Sequence, residues 1–221
     1  MYKRLNMNHG ILVILKTYLL VLSIFSIFRF LLFINFINKL NFTDTSTSII
    51  FQAFIMGVRF DTVITGYILI LPATVLFILD IMNNQNTKVI NFIFYWIYLL
   101  FTFSFIISSV DIPYFNQFYE RFSIGAFEWI ENFDFVFSMI IQEQSYYLMS
   151  IPFLILSVVF YYSLKKIFTF NKNSIQLKPW LKITTSLFIL LFIFIGIRGR
   201  IQRKSPIRIG TAYFSDNSFL N

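Results

Sequence analysis

The chain contains no cysteine and only one histidine, His9, among its 221 residues. Without cysteine, neither a disulfide framework nor a thiolate metal site can form, and one imidazole excludes any site in this chain that needs two. Charged residues make up only 13% of the sequence, about half the share that is usual in soluble domains. Hydrophobic residues make up 57%, and 31 residues are Phe. This composition indicates an integral membrane protein.

Five apolar stretches are long enough to cross a bilayer as helices of about 20 residues. Their apolar residues do not alternate as the strands of a membrane barrel require, so the sequence predicts an all-α membrane protein with five transmembrane helices. Lys3 and Arg4 precede the first stretch as in a signal peptide, but its length and the lack of a small-residue cleavage site predict a retained span. The stretches are residues 11–34, 62–82, 89–110, 146–168 and 181–197.

The distribution of lysine predicts the orientation. Residues 165–182 contain five lysines and no acidic residue, whereas residues 111–145 contain one basic residue, Arg121. Because Lys and Arg mark cytoplasmic loops, we expect the N-terminus inside and the C-terminus outside. The tail, residues 198–221, carries five positive charges between Arg198 and Arg208, against this rule. The rule fails where a large translocated domain follows, so the tail, which comes after a transmembrane domain of residues 1–197, predicts something bulky downstream.

The loop of residues 111–145 is long and apolar, and its periodicity predicts two amphipathic helices. Tyr114, Phe118 and Phe122 recur at helical spacing, and a second helix places Ile130, Phe133, Phe137 and Ile140 on one side. Aromatic-rich helices of this kind are expected to lie in the plane of the membrane interface. Residues 49–60 are also apolar but too short to span alone, so they predict either an interfacial helix or an early part of the second span.

Four ionisable residues fall at the predicted outer ends of spans: Arg29, Arg59, Asp61 and Asp111. Such groups pair or face a wet cavity, and Arg is the usual partner of phosphate. The sequence therefore predicts a lipid headgroup site at the outer leaflet, with the tail residues Arg198 and Arg200 as further candidates. The alternative is that these arginines snorkel at helix ends and that Asp61 is the N-cap of the second span. Lys16 and Asp80 receive no function.

No catalytic constellation is recognisable in the sequence. It has no phosphate-cradling glycine-rich loop, no GxSxG motif and no spacing of carboxylates and histidines suited to a metal. Hydrolases of the sulfatase and alkaline phosphatase type place a hydroxyl nucleophile beside Asp, Glu and His ligands of one or two metals. With a single histidine near its N-terminus, the chain cannot build that site, and no metal or cofactor is expected in it.

Three segments resemble the membrane half of lipoteichoic-acid-synthase-like proteins, the sulfatase-type phosphoglycerol transferases of bacterial envelopes, in the form found in Bacteroidetes-type bacteria. The segments are MGVRFDTVITGYILILP at 56–72, DIPYFNQFYERF at 111–122 and RGRIQRKSPIRIGTAYFSDNSFLN at 198–221. The resemblance implies five spans, a linker and then a large extracellular catalytic domain with a Thr nucleophile and a divalent metal, usually manganese. The sequence ends inside the implied linker, so no catalytic residue of the family has a counterpart in it.

The resemblance implies a membrane anchor that presents a lipid to a phosphoglycerol or phosphoethanolamine transferase and is inactive alone. It also implies the cytoplasmic membrane of a bacterium, with membrane lipids, including anionic phospholipid, as partners, and no nucleic acid. On this interpretation the chain is a fragment or a truncated gene product. The alternative is a small polytopic protein complete in itself, such as a transport or assembly subunit.

Overall fold

The computed structural model describes residues 9–36, 47–82, 86–118, 121–122, 132–169 and 179–199. These residues form six α-helices and no strand. The helices are α1 (His9–Phe36), α2 (Thr47–Ile81), α3 (Thr87–Phe118), α4 (Phe133–Gln142), α5 (Gln144–Thr169) and α6 (Pro179–Arg198). All but α4 are long and apolar enough to cross a membrane. A helix can cross lipid because it satisfies its own backbone polar groups. The five predicted spans are confirmed.

The second span is longer than its sequence prediction. The apolar stretch 49–60 is continuous with it, so α2 begins at Thr47 and contains Arg59 and Asp61 in its interior. Of the two predictions for residues 49–60, an early part of the second span is therefore confirmed and a separate helix is wrong. No proline interrupts this stretch, and the one proline within α2 is Pro72.

The helices pack around a phenylalanine-rich core. The ring of Phe105 on α3 lies 5.3 Å from that of Phe25 on α1 and 5.2 Å from that of Phe160 on α5, both edge to face. Phe101 and Phe160 are also fully buried in this cluster. Such pairs prefer edge-to-face geometry because the ring edge is positive and the face negative. Many of the other apolar side chains, especially on α5 and α6, are exposed on the bundle surface, as lipid-facing residues are.

Gly66 permits a close approach of α2 and α6. A Cβ atom at this position would lie 2.7 Å from Cγ1 of Ile197 and 3.4 Å from its backbone nitrogen. The most extensive helix pairings are α2 with α6, α1 with α2, and α3 with α5. A small residue at a membrane helix interface lets two backbones approach, and Gly66 does this for α2 and α6.

Tyr114, Phe118 and Phe122 lie together, but residues 121 and 122 do not continue a helix. The ring of Tyr114 lies 4.7 Å from that of Phe118 and 5.3 Å from that of Phe122. Residues 114–118 continue α3, while residues 121 and 122 are not helical. Phe122 returns toward Tyr114 because its backbone N–H donates a hydrogen bond to Oδ1 of Asp111, at 2.8 Å. The three rings predicted to share one face are therefore in contact, but a helix that continues through residues 121 and 122 is wrong.

The second predicted amphipathic helix overlaps α4, which spans Phe133–Gln142. Phe137 and Ile140, two of the residues predicted for its apolar side, are exposed, and α4 contacts the neighbouring α5. Ile130 lies outside the described residues. An orientation in the plane of the membrane interface stays a prediction for this segment.

Candidate functional site: a charged layer between two apolar clusters

An ion pair joins α1 and α2 within apolar surroundings. Nη2 of Arg29 donates a hydrogen bond to Oδ2 of Asp61 at 2.6 Å. The two side chains are only 18% and 10% exposed, and Arg29 is preceded by the buried Phe28. Charge-assisted hydrogen bonds of this length are about twice as strong as neutral ones. The guanidinium therefore ends in a specific contact rather than in solvent, and snorkelling alone does not describe it.

Gly57 provides the space that the guanidinium occupies. It lies one helical turn before Asp61 on α2, and a Cβ atom at this position would overlap Nε and Cζ of Arg29. The head group of Arg29 thus lies directly against the backbone of α2. Any other residue at position 57 would force this head group to move.

The second amino group of Arg29 has no hydrogen-bond partner among the described residues. Its Nη1 atom is buried, whereas Nη2 bonds Asp61. A buried, unpaired donor on a charged group is costly, and it is the kind of exception that indicates a missing water, ion or ligand. Among the described residues, Arg29 therefore has a hydrogen-bond partner for Nη2 and none for Nη1.

Asp111 and Arg121 form a second ion pair close to the first. Nη2 of Arg121 lies 3.3 Å from Oδ2 of Asp111, and the Arg121 side chain is 44% exposed. Arg121 also lies close enough to Asp61 for their opposite charges to attract. We call these four residues, Arg29, Asp61, Asp111 and Arg121, the ionic layer. The layer contains two positive and two negative charges.

Apolar packing continues on both sides of the ionic layer. Beyond Arg29 and Asp111, the buried residues Leu32, Phe36, Ile112 and Phe115 form a small cluster of their own. In that cluster the rings of Phe36 and Phe115 meet at 4.9 Å. The main core, which includes Phe28 and Phe105, lies on the opposite side. The ionic layer thus lies between two apolar clusters and not at the end of the bundle.

A second polar link joins α1 and α2 at the other end of the bundle. Oδ2 of Asp80 accepts a hydrogen bond from the backbone N–H of Gly10, at 3.1 Å, and Lys182 lies close enough for its charge to attract Asp80. Asp80 thereby caps the N-terminus of α1, whose first N–H groups have no partner within their own helix. This role of Asp80 was not predicted from the sequence, because its partner is a backbone group 70 residues away.

The spacing between the two links matches a bilayer. Gly10 and Arg29 are 19 positions apart on α1, and Asp61 and Asp80 are 19 positions apart on α2. At 1.5 Å per residue both intervals measure about 28 Å, which is close to the roughly 30 Å of a hydrocarbon core. The two links between the antiparallel helices are therefore separated by about one hydrocarbon thickness.

The structure brings together part of the predicted site. Arg29 and Asp61 are bonded and Asp111 lies nearby, whereas the Arg59 side chain is exposed and has no ion-pair partner among the described residues. Asp61 is not an N-cap, because α2 begins 14 residues before it. Arg198 is in the last turn of α6, and Arg200 lies outside the described residues.

Arg121 was not among the predicted site residues. In the sequence it is only the single basic residue of its loop. Its pairing with Asp111 depends on the position of residues 121 and 122 beside α3, where the Phe122 N–H bonds Asp111, and residue spacing alone does not show this position. Asp111 itself thus forms an ion pair with the Arg121 guanidinium and accepts a hydrogen bond from the Phe122 N–H.

Within the described residues, no group of three or more His, Asp or Glu side chains is arranged to hold a metal ion. Comparison of the chain with protein-family models, with curated proteins and with solved structures finds no match in any of the three. The resemblance to lipoteichoic-acid-synthase-like proteins stays a prediction.

Proposed function

We propose that the chain binds the phosphate-bearing headgroup of a membrane lipid at the ionic layer. We further propose that it is the lipid-presenting membrane half of an envelope phosphotransferase of the lipoteichoic-acid-synthase type. The observation that carries the first proposal is the half-satisfied Arg29, whose Nη2 bonds Asp61 while its buried Nη1 has no partner among the described residues. The second proposal is supported only by the three sequence segments that resemble that family.

Each residue of the ionic layer has a role in this proposal. Asp61 holds one side of the Arg29 guanidinium, so that the remaining N–H groups keep a fixed direction toward a phosphate oxygen. Arg121, which is partly exposed, adds a second cation that can turn from Asp111 to the phosphate. Guanidinium groups suit phosphate because their fork of N–H donors matches its oxygens.

The depth of the layer favours a lipid over a soluble phosphate. The layer lies about 28 Å along the helices from the Asp80 contact, which is about one hydrocarbon thickness. A phospholipid carries its phosphate at this boundary and its acyl chains beside the exposed apolar faces of the helices. A free phosphate ester would have no such apolar contacts.

We expect Arg29→Gln to weaken the binding of phosphatidylglycerol about tenfold or more, the loss that corresponds to one charge-assisted hydrogen bond. Glutamine keeps polarity and some length but loses the charge and the fork. Arg59→Gln is the matched control, because it makes the same change on an exposed side chain two residues from Asp61 and should leave binding unchanged. Native mass spectrometry of the protein released from nanodiscs measures bound lipid in each variant.

Three ligands separate the possible sources of the phosphate. Phosphatidylglycerol should bind at the site. Diacylglycerol, which lacks phosphate, and free glycerol phosphate, which lacks acyl chains, should not bind. Equal binding of phosphatidylglycerol and diacylglycerol, or equal effects of Arg29→Gln and Arg59→Gln, would show that the layer does not recognise a headgroup.

We also propose that the protein lies in the cytoplasmic membrane of a bacterium with its N-terminus inside and the ionic layer at the outer leaflet. This orientation is supported by the lysine-rich stretch 165–182, because Lys and Arg mark cytoplasmic loops. Because the chain has no cysteine, single cysteines can be introduced without background. A cysteine at position 173 should resist an impermeant thiol reagent in intact cells, and one at position 123 should react. The reverse labelling pattern would contradict this orientation.

A further inference from the structure

Gly57 stands out in α2 because glycine is a weaker helix former than alanine and lies here in the interior of a long apolar helix. Gly66 on the same helix is explained by the approach of α6. At Gly57 the neighbouring atoms are different, since they belong to the end of one charged side chain. The head group of Arg29 fills the space beside the Gly57 backbone.

The geometry at Gly57 bears on which nitrogen of Arg29 remains available. A Cβ atom there would overlap Nε and Cζ and would lie 2.6 Å from Nη2, the nitrogen that bonds Asp61. Nη1 is not among the three nearest atoms, and it is the buried donor without a partner. The space left by the absent side chain at position 57 is thus filled by the part of the guanidinium that includes Nη2, the nitrogen that bonds Asp61.

We propose that Gly57 is a positioning residue for phosphate recognition, a proposal that rests on the lipid-binding function proposed above. The absence of a Cβ lets the guanidinium lie against α2 with Nη2 on Asp61, so that Nη1 is directed to a phosphate oxygen of the lipid. A methyl group at position 57 displaces the guanidinium, so that it can no longer bond Asp61 through Nη2 and the phosphate through Nη1 at the same time. The phosphate itself does not contact Gly57 in this arrangement.

The test is Gly57→Ala in the full chain, reconstituted in nanodiscs with phosphatidylglycerol. We expect about a tenfold loss of phosphatidylglycerol binding, comparable with the loss of one charge-assisted hydrogen bond, and little change in thermal stability. The helix gains a better helix former, and the displaced atoms are the end of a flexible side chain. Gly196→Ala is the matched control, because a Cβ there would meet only the Tyr18 hydroxyl at 3.2 Å and the Thr62 methyl at 3.3 Å.

A double-mutant cycle separates positioning from general packing. In an Arg29→Gln background, Gly57→Ala should cause no further loss of binding, because its whole effect passes through Arg29. Additive losses would overturn the inference. Normal binding by Gly57→Ala beside weak binding by Arg29→Gln would also overturn it but would leave the proposed function intact. Normal binding by both variants would contradict the proposed function itself.

A second variant keeps the test decisive if Gly57→Ala lowers thermal stability. Combining Gly57→Ala with Arg29→Lys places a slimmer ammonium group beside the new methyl. Its three N–H donors can bond both Asp61 and a phosphate, so we expect stability and part of the phosphatidylglycerol binding to return. Recovery of stability without any recovery of binding would overturn the positioning role.

Discussion

Asp61→Ala is expected to destabilise the folded bundle by about 3–5 kcal/mol, because it leaves the guanidinium of Arg29 buried without a counter-charge. The Arg29 side chain is only 18% exposed and has apolar packing on both sides along α1. The protein should therefore lose its cooperative thermal transition in detergent at a much lower temperature than the parent. Thermal unfolding followed by circular dichroism measures this loss.

The double variant Arg29→Leu, Asp61→Leu distinguishes a lost pair from an orphaned charge. Replacing both partners of a buried pair with apolar residues is often neutral or stabilising, so the double variant should recover most of the stability that Asp61→Ala loses. It should nevertheless remain unable to bind the lipid headgroup. An unchanged transition temperature for Asp61→Ala would mean that Arg29 reaches water without its partner.

Gly66→Val is expected to separate α6 from α2. Even a Cβ at this position would lie 2.7 Å from Cγ1 of Ile197 and 3.5 Å from the backbone oxygen of Ile193. The additional methyl groups of valine cannot fit unless the α6 backbone moves, and overpacking of this kind costs about 1–3 kcal/mol. A cysteine pair placed across the α2–α6 contact should then lose its efficient disulfide cross-linking.

Tyr67→Val is the control for this prediction, since it places the same β-branched side chain at the next position, where Tyr67 is exposed on the bundle surface. Cross-linking between α2 and α6 should be unaffected there. If Gly66→Val cross-links as well as the parent, the close approach of the two helices at Gly66 is not required for their packing.

Length and hydropathy were sufficient to predict the five spans, because the bilayer sets both quantities for any crossing helix. They were insufficient for α2, where the apolar residues 49–60 continue the helix well beyond one bilayer thickness. The charged residues Arg59 and Asp61 suggested a boundary at that point. In the structure Asp61 lies in the helix interior, where Arg29, 32 residues earlier, pairs with it.

The candidate site was predictable only in its residue types. An apolar helix that contains Arg29 needs some partner for it, and Asp61 was an available carboxylate. The other contacts depend on backbone geometry: Gly57 matters because of the absent Cβ, Asp80 because of the N–H of Gly10, and Arg121 because residues 121 and 122 lie beside Asp111 of α3. Residue spacing along the sequence contains none of these distances.

The most direct test of headgroup recognition is the distance between the Arg29 guanidinium and a lipid phosphorus atom. Solid-state NMR with ¹⁵N-arginine-labelled protein in phosphatidylglycerol bilayers can detect dipolar coupling between guanidinium ¹⁵N and lipid ³¹P. A hydrogen bond from Nη1 to a phosphate oxygen places nitrogen and phosphorus within about 4 Å. We expect a strong coupling in the parent protein and in Arg59→Gln, and in Arg29→Gln a much weaker coupling, limited to what Arg121 contributes. A coupling that is undiminished in Arg29→Gln, or that is absent from the parent, would contradict phosphate binding by Arg29.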